Sequence, residues 1–275
     1  MQEDLIFDLG MHKGEDTEFY LKKGYRVVGV EADPDLAEHC RQRFAARISD
    51  GTVRIIEGAI VGQDRIGDGT VKFYRNPTVS VWGTVDPQWR DRNVLLGCPS
   101  VDLEVRCLDL GAILREHGVP FYLKIDLEGV DRLCLDYLTG FQERPQYLSL
   151  EDEKVELSKL KQDLERLCSL GYRKFRTIQQ QSIPDTVYKG VDRLGRPITH
   201  RFEDGATGPF GDDLGGEWMT RAETWAEYRR IFEMYGISDE DGLFSQNRDT
   251  AKLLSELTQR SQWLAAGWYD THASL

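Results

Sequence analysis

Three charged side chains occupy alternate positions in the segment "YLKIDLEG", where an apolar run of the chain ends: Lys124, Asp126 and Glu128. Along an extended strand, alternate side chains point to the same side of the sheet. Burying such charges is costly unless they pair with each other or face a cleft. The spacing therefore predicts a cluster of acid and base groups in a site, and a simple ion pair at the strand end is the alternative.

A second segment whose residues could form a ligand site is "IFDLGMHKGEDT", near the N-terminus. Asp8 ends an apolar run, and Gly10 and Gly14 follow it. This order is typical of a strand, a tight loop and a helix, with a loop backbone that a ligand can approach. A dinucleotide site would need G-x-G-x-x-G, and a pyrophosphate would avoid Asp8. The methyl donor S-adenosylmethionine, which carries positive charge and a single carboxylate, suits Asp8 and the N–H groups of the loop better.

Two further positions complete the predicted donor site. Glu31 ends the run "VVGVEAD", where a carboxylate can accept hydrogen bonds from both hydroxyls of a ribose; the alternative is a solvated strand-end carboxylate. Ala59 follows the third apolar run and is small enough to lie against an adenine ring. The full predicted donor-binding set is Asp8, Gly10, Met11, His12, Gly14, Thr17, Glu31, Ala32, Ala59 and Asp126.

The predicted catalytic residues are those of the charged cluster. A hydroxyl acceptor must lose its proton when it is methylated, and Asp126 is the first candidate for the base. Lys124 can lower the pKa of the hydroxyl or tune Asp126, and Glu128 can orient either group. We expect a metal-free site. The alternative is Mg²⁺ held by Asp126 together with Glu151 or Asp152, which end the next apolar run.

The elements that position these residues alternate between short apolar runs and helical patterns over the first 180 residues. This alternation predicts an α/β fold, with a mostly parallel sheet and helices on both faces. The predicted strands are 4–10, 25–33, 52–61, 119–129, 145–152 and 173–180. The predicted helices of this region are 18–24, 33–48, 108–118, 130–138 and 154–171.

Composition changes after about residue 182, which predicts two parts. Residues 1–182 form the catalytic domain, with an irregular insertion over 62–101. Residues 183–275 form an extension with a glycine-rich loop, too irregular for regular elements, and two helices over 220–236 and 249–266. Thr220 and Glu223 have the spacing of a capping box at the start of the first helix. We expect the extension to pack on the core as a cap or as a homodimer element. The tryptophans, which lie outside the predicted sheet, either anchor these segments or line an acceptor pocket.

The overall charge limits the classes of partner. The 275 residues carry a formal net charge of -12, which argues against nucleic acid or an anionic membrane. No apolar run approaches the roughly 18 residues of a membrane span, and no signal-peptide pattern is present. The 5 cysteines are scattered and never spaced as CxxC, which favours a reducing compartment over disulfides or a zinc site. We therefore expect a cytoplasmic protein that acts on a small molecule.

The segments "DLGMHKGEDT", "VVGVEADP" and above all "YLKIDLEGVD" resemble the FkbM-type S-adenosylmethionine-dependent methyltransferase family. The likeness covers roughly residues 4–180, and "GPFGDDLGGEW" and "GWYDTHA" also resemble C-terminal sequences of some bacterial members. It implies a class I methyltransferase (Rossmann-like) fold, S-adenosylmethionine as cofactor, and methyl transfer to a hydroxyl of a small molecule, sugar or secondary metabolite. It also implies that Asp8, Gly10, Gly14 and Glu31 hold the donor and that Asp126 lies near its methyl group. The loop "MHK" is bulkier and more basic than is usual in the family.

Two other functions are compatible with parts of the sequence. One is an NAD-dependent oxidoreductase with an atypical glycine loop, which Asp8 and the missing third glycine disfavour. The other is a protein that binds S-adenosylmethionine without catalysis. The intact cluster around Asp126 disfavours that alternative.

Overall fold

The computed structural model describes residues 1–152, 157–234 and 268–275 of the chain. The strands are β1 (Gln2–Leu9), β2 (Arg26–Glu31), β3 (Val53–Glu57), β4 (Ala59–Ile60), β5 (Thr70–Arg75), β6 (Val101–Leu108), β7 (Pro120–Ile125), β8 (Tyr147–Glu151), β9 (Lys174–Gln179), β10 (Val187–Val191), β11 (Pro197–Arg201) and β12 (Tyr269–Ser274). The α-helices are α1 (Glu15–Lys22), α2 (Pro34–Arg43), α3 (Ala45–Ser49), α4 (Pro87–Leu95), α5 (Leu110–His117), α6 (Arg132–Leu138), α7 (Leu157–Ser169) and α8 (Arg221–Met234).

A seven-stranded sheet in the order β3-β2-β1-β7-β8-β12-β9 forms the centre of the molecule. The pairs from β3 to β8 are parallel, whereas β12 runs antiparallel to both β8 and β9. The chain order reverses between β1 and β7, and ligands bind outside the carboxyl ends of parallel strands at such a switch point. The predicted fold class, an α/β fold with a mostly parallel sheet, is confirmed.

The central strands of the sheet carry mostly apolar side chains and are buried on both faces, as is typical of parallel strands. In β1, Leu5, Phe7 and Leu9 belong to a core that also contains side chains of α5 to α8. Ile6 faces the opposite core, with α1, α2 and the aromatic ring of Phe210. Helices therefore cover both faces, and the strand ends are left for a site.

The C-terminal segment corrects one expectation. Residues 269–274 form β12 inside the central sheet, so the predicted extension over 183–275 does not lie wholly outside the catalytic core. The segment "YDTHAS" carries no apolar run, and it becomes a strand because β8 and β9 satisfy its backbone on both sides. The predicted helix over 249–266 lies outside the described residues.

Two segments predicted to be irregular contain regular elements. The insertion over 62–101 contains the strand β5 and the helix α4, and β5 pairs antiparallel with β6. The glycine-rich segment contributes β11, which forms a hairpin with β10. The hairpin turn is closed by the Asp192 carboxylate, which accepts hydrogen bonds from the N–H groups of Leu194 and Arg196 at 2.8 and 2.9 Å. Side-chain hydrogen bonds of this kind stabilise the turn. The hairpin therefore forms although the segment lacks the apolar run that usually predicts a strand.

The predicted start of the helix α8 is confirmed by its hydrogen bonds. At the start of α8, the Thr220 N–H donates to Glu223 Oε2 at 2.8 Å and the Glu223 N–H donates to Thr220 Oγ1 at 3.3 Å. These two bonds form the predicted capping box. All the cysteines are free thiols. None of the helices that the structure describes is long and apolar enough to cross a membrane.

Candidate functional site

The loop between β1 and α1 brings three strand ends together. Gly10 has a φ of 77°, and a Cβ atom there would lie 1.9 Å from the carbonyl oxygen of Asp126. The N–H groups of Gly10 and Met11 donate to the carbonyl oxygen of Val30 at 3.0 and 3.1 Å. Gly14, with a φ of 82°, packs so closely on the Phe44 ring that a Cβ would lie 2.3 Å from it. Both glycines are therefore required by backbone conformation and by close approach.

Glu31 closes the loop from the end of β2. Its two carboxylate oxygens accept hydrogen bonds from the N–H groups of His12 and Asp33, both at 2.8 Å. Burial raises the pKa of Glu31 to about 7, against the effect of these N–H donors. The His12 ring continues the network, with Nδ1 3.0 Å from Glu15 Oε1 and Nε2 2.9 Å from Ser80 Oγ. The glycine loop is thus tied both to β2 and to the insertion.

These residues line a cleft of about 770 Å³, including its open mouth, at the carboxyl ends of β1, β2 and β7; we call it the glycine-loop cleft. Its polar part contains predicted site residues from all three segments: Gly10, Met11, His12, Glu31, Lys124, Asp126 and Glu128. Its apolar part includes the predicted Ala32 and Ala59, together with Leu36, Ile60, Phe73 and Val85. A cleft of this size with one polar end and one apolar wall fits a nucleoside joined to an amino acid.

Three residues of the predicted donor set do not line this cleft. Asp8 is completely buried and accepts a hydrogen bond of 2.7 Å from Thr17 Oγ1. Gly14 lies against Phe44, on the far side of the loop. The structure places these residues beneath the loop, where they stabilise its conformation.

Lys124 lies at the centre of a buried ion network. Its Nζ donates to the Gly10 carbonyl oxygen at 2.9 Å and lies 3.4 Å from Asp8 Oδ1, 3.7 Å from Asp16 Oδ2 and 3.4 Å from Asp126 Oδ2. Burial alone would lower the pKa of Lys124, but the carboxylates of Asp8, Asp126 and Asp16 raise it well above its usual value. Lys124 therefore stays protonated and acts as a fixed cation. Both the predicted cluster and the alternative ion pair are present, because Lys124 supplies the pair and Asp126 faces the cleft.

Asp126, Glu128 and Glu151 form an acidic cluster at the ends of β7 and β8, with one carboxylate oxygen of each within 4.8 Å of the others. Glu128 is held by its backbone, since its carbonyl oxygen accepts a 2.7 Å hydrogen bond from Thr84 Oγ1. Asp152 is not part of the cluster. Its carboxylate accepts a hydrogen bond from Thr271 Oγ1 at 2.5 Å and another from the Tyr228 hydroxyl. Of the two predicted partners of Asp126 in the alternative metal set, Glu151 therefore lies close to it and Asp152 does not, and Glu128 lies beside them.

A second cavity, of about 1810 Å³ including open solvent, adjoins the glycine-loop cleft. The two share the wall formed by His12, Ser80, Val81, Asp126, Glu128 and Gly205. Further walls of the second cavity come from Trp82 of the insertion and from Trp268 and Asp270 at the C-terminus. Some tryptophans therefore line a cavity beside the site, as one of the two sequence-based interpretations expected.

The sequence did not identify Asp270 as a site residue. Asp270 lies opposite Glu151 in the register of β12 and β8, more than 100 residues away along the chain. Burial, together with the charges of Asp126 and Glu151, raises the pKa of Asp270 well above its usual range. The resemblance of "GWYDTHA" to some bacterial sequences was the only signal for this segment.

The glycine-rich segment contacts the same region. The Asp16 carboxylate accepts hydrogen bonds from the N–H groups of Thr207, at 2.9 Å, and Gly208, at 3.3 Å. The Phe210 ring stacks on Tyr122 at a centroid distance of 4.3 Å, which fixes the segment to the sheet. Asp204 and Gly205 consequently lie at the edge of the second cavity.

Comparison with known protein families shows a match over more than half of the chain. Residues 8–174 match the family described as "Methyltransferase FkbM domain". A 57-residue segment is 37% identical to the probable ribosomal RNA small subunit methyltransferase A of Methanospirillum hungatei, and covers 21% of this chain and 22% of that protein. The chain thus matches about a fifth of the length of that curated relative.

Solved structures show only remote similarity. An S-adenosylmethionine-dependent methyltransferase from Archaeoglobus fulgidus is 10% identical, with a TM-score of 0.39 over 100% of this chain and 87% of that one. An O-methyltransferase from Bacillus cereus, solved with S-adenosylhomocysteine, is 10% identical, with a TM-score of 0.36 over 71% of each chain. These values are too low to support a conclusion about substrate.

The family match includes the glycine loop, Glu31 and the acidic end of β7, which line the glycine-loop cleft. This result favours the methyltransferase interpretation over an NAD-dependent oxidoreductase. Because the match spans more than half of the chain, the protein belongs to the FkbM methyltransferase family, and its cofactor is S-adenosylmethionine.

Proposed function

We propose that the protein transfers a methyl group to a hydroxyl oxygen of a small-molecule acceptor. The observation that carries this proposal is the wall shared by the glycine-loop cleft and the second cavity, which contains Asp126 and Glu128. A donor in the cleft and an acceptor in the cavity meet at these carboxylates. Carboxylates at a meeting point suit an acceptor that must lose a proton.

The donor is held by the loop and by β2 in this proposal. The amino-acid end of the donor lies against the glycine loop, Glu31 accepts from its ribose hydroxyls, and Ala59 lies against its adenine ring. S-adenosylmethionine supplies a methyl group that is activated by the positive charge on sulfur. Asp8, Gly14 and Thr17 contribute indirectly, because they fix the loop from below.

Asp126 accepts the proton of the acceptor hydroxyl. Its side chain is 35% exposed and lines both cavities, so an acceptor can reach it. Lys124 positions Asp126 and the glycine loop relative to each other, since its Nζ contacts both. Glu128 orients the acceptor from the shared wall. General base catalysis of this kind contributes about 10²- to 10⁴-fold to a rate, and holding the two reactants in line contributes further.

The second cavity restricts the acceptor by charge and shape. Among the residues that the structure describes, its walls carry five carboxylates and two cations, Lys13 and Arg92, so anionic acceptors are disfavoured. The five are Asp126, Glu128, Glu151, Asp204 and Asp270. Trp82 and Trp268 offer flat apolar surfaces that suit a ring, such as a sugar or a phenol. A neutral, ring-shaped compound with hydroxyl groups is the acceptor class that these walls favour.

The test is turnover of S-adenosylmethionine labelled in its methyl group, with a panel of neutral sugars, phenols and their phosphorylated counterparts. We expect label transfer to neutral hydroxyl compounds, and an Asp126→Asn variant that loses about 10²- to 10⁴-fold in kcat while its affinity for S-adenosylhomocysteine is unchanged. Asp91→Asn, which changes an exposed carboxylate of α4 that lines neither cavity, is the matched control and should retain activity. Wild-type activity in Asp126→Asn would exclude the proposed base. Cofactor binding without turnover of any panel member would favour the non-catalytic alternative.

We further propose that the segment around Asp204 to Thr207 caps the second cavity, supported by its anchoring to Asp16. A homodimer through the C-terminal region and a cytoplasmic location remain predictions. Sedimentation of the purified protein tests the dimer directly, since a monomeric mass at high concentration contradicts it.

A further inference from the structure

We infer that Ser80, in the insertion, is a positioning residue for the donor site: it holds the His12 imidazole and, through His12, the Glu31 carboxylate. Ser80 Oγ lies 2.9 Å from His12 Nε2, although 68 positions separate the two residues along the chain. His12 in turn donates its backbone N–H to Glu31 Oε2 at 2.8 Å. The inference rests on the proposed placement of the donor in the glycine-loop cleft, where Glu31 accepts from the ribose hydroxyls.

The other ring nitrogen of His12 is held by Glu15. His12 Nδ1 lies 3.0 Å from Glu15 Oε1, and Glu15 Oε2 accepts the Lys13 N–H at 3.1 Å. Burial would raise the pKa of Glu15, but the hydrogen bond and the charge of His12 lower it below its ordinary value. An ionised carboxylate can only accept, so Nδ1 carries a proton and, in the neutral ring, Nε2 accepts the hydroxyl of Ser80. The imidazole is therefore fixed at both nitrogens.

The backbone of His12 depends on such contacts. Its φ of 50° lies in the left-handed region, which residues other than glycine adopt uncommonly. Its carbonyl oxygen accepts a 3.1 Å hydrogen bond from Cys40 Sγ, and its N–H donates to Glu31. A residue keeps a sparsely populated conformation only where the surrounding contacts define it. Loss of the contact with Ser80 should therefore loosen the N–H group that orients Glu31.

The insertion presents Ser80 from a short segment that is fixed on both sides. Before it, the Val79 N–H donates to Oδ1 of the buried Asn76 at 2.9 Å. After it, the carbonyl oxygen of Trp82 accepts a 3.1 Å hydrogen bond from Asn93 Nδ2, and Asn93 is also buried. Because the segment is already ordered, Ser80 can hold the His12 ring at little further cost in conformational entropy.

The insertion thereby helps to organise the donor site. Ser80 and His12 both line the wall shared by the glycine-loop cleft and the second cavity. With their hydrogen bond in place, the donor meets a Glu31 that is already oriented. Without it, donor binding must order the loop, and that ordering lowers affinity. The net contribution of one hydrogen bond corresponds to a loss of about 3- to 10-fold in affinity.

The experiment is calorimetric titration of the full-length protein with S-adenosylhomocysteine, in a double-mutant cycle of Ser80→Ala and His12→Asn. Asparagine tolerates a left-handed backbone and is too short to reach Ser80, so it removes the ring contact and keeps the loop conformation. We expect Ser80→Ala to bind about 3- to 10-fold more weakly than the wild type, and to have no further effect in the His12→Asn background. Ser80→Thr, which keeps the hydroxyl, should restore the affinity.

Ser169→Ala is the matched control. Ser169 is an exposed serine of α7 whose Oγ donates to the carbonyl oxygen of Arg166 at 2.7 Å, and it lines neither cavity. Its substitution removes a hydrogen bond of similar length far from the donor, so S-adenosylhomocysteine should bind as it does to the wild type. Thermal unfolding of each variant sets the temperature of the titration, so that every comparison is made on folded protein.

Two results would overturn the role of Ser80: wild-type affinity in Ser80→Ala, or losses from Ser80→Ala and His12→Asn that add in the double variant. In both cases, binding of S-adenosylhomocysteine to the wild type leaves the donor site intact. Absence of binding to the folded wild-type protein would instead reject the donor site, and the positioning role with it.

Discussion

At the scale of single residues, Lys124 holds the site together. Its ammonium is buried and contacts three carboxylates and the glycine loop. Removing one partner from a buried ion network leaves uncompensated charge, so Lys124→Met should lower the free energy of unfolding by about 3–5 kcal/mol in urea denaturation. Lys72→Met is the matched control, because Lys72 pairs with Asp102 at 2.9 Å on the surface and should matter little. Equal effects of the two substitutions would contradict a central role for Lys124.

The raised pKa of Glu31 predicts how the stability of the protein depends on pH. Its pKa is about 7 in the folded protein and 4.5 in its unperturbed state, because burial disfavours the charge. The folded state therefore binds the proton more tightly, and the contribution of Glu31 to stability falls as pH rises from 4.5 to about 7. A shift of this size corresponds to about 3 kcal/mol.

We expect Glu31→Gln to remove that decline, measured as the difference in unfolding free energy between wild type and variant at acidic and at mildly alkaline pH. Glu57→Gln provides the control, since Glu57 lies beside Glu31 in the strand register but is 40% exposed and paired with Arg41. If the pH dependence of Glu31→Gln matched that of the wild type, burial of this carboxyl would not be the cause.

At the scale of elements, the approach of β1 to β7 depends on Gly10. Gly10 and Gly51 have almost the same φ, 77° and 79°, but only Gly10 has a neighbouring atom within reach of a Cβ. Alanine at either position carries the cost of a left-handed backbone, about 1–2 kcal/mol. Gly10→Ala should cost clearly more and should also weaken S-adenosylhomocysteine binding, measured by calorimetry. Similar losses at the two glycines would show that close contact with Asp126 is unimportant.

The strands β1, β2, β7 and β8 could be predicted because each is a continuous apolar run with a polar end. The helix α4 and the strand β12 could not, since neither has such a run. β12 forms because β8 and β9, which are distant from it in sequence, pair with it on both edges. Pairing between distant segments decides such an element, and local sequence carries little of that information.

At the scale of the whole molecule, the site is a meeting of four regions. The glycine loop, the ends of β7 and β8, the insertion and the C-terminal strand all contribute walls. The first two were predictable because the carboxyl ends of parallel strands form the ligand site of such a sheet. Aspartate, glycine and glutamate at those ends therefore indicate site residues from the sequence alone. Asp270 was not predictable, because its place in the site depends on the packing of β12.

The most direct test of the account is calorimetric titration of the wild-type protein with S-adenosylhomocysteine, and with NAD⁺ in parallel. We predict micromolar binding of S-adenosylhomocysteine with one site per chain, no binding of NAD⁺, and a loss of at least about 100-fold in affinity in a folded Glu31→Ala variant. Binding of NAD⁺ alone, or S-adenosylhomocysteine binding that is unchanged in Glu31→Ala, would contradict the assignment of the glycine-loop cleft as the donor site.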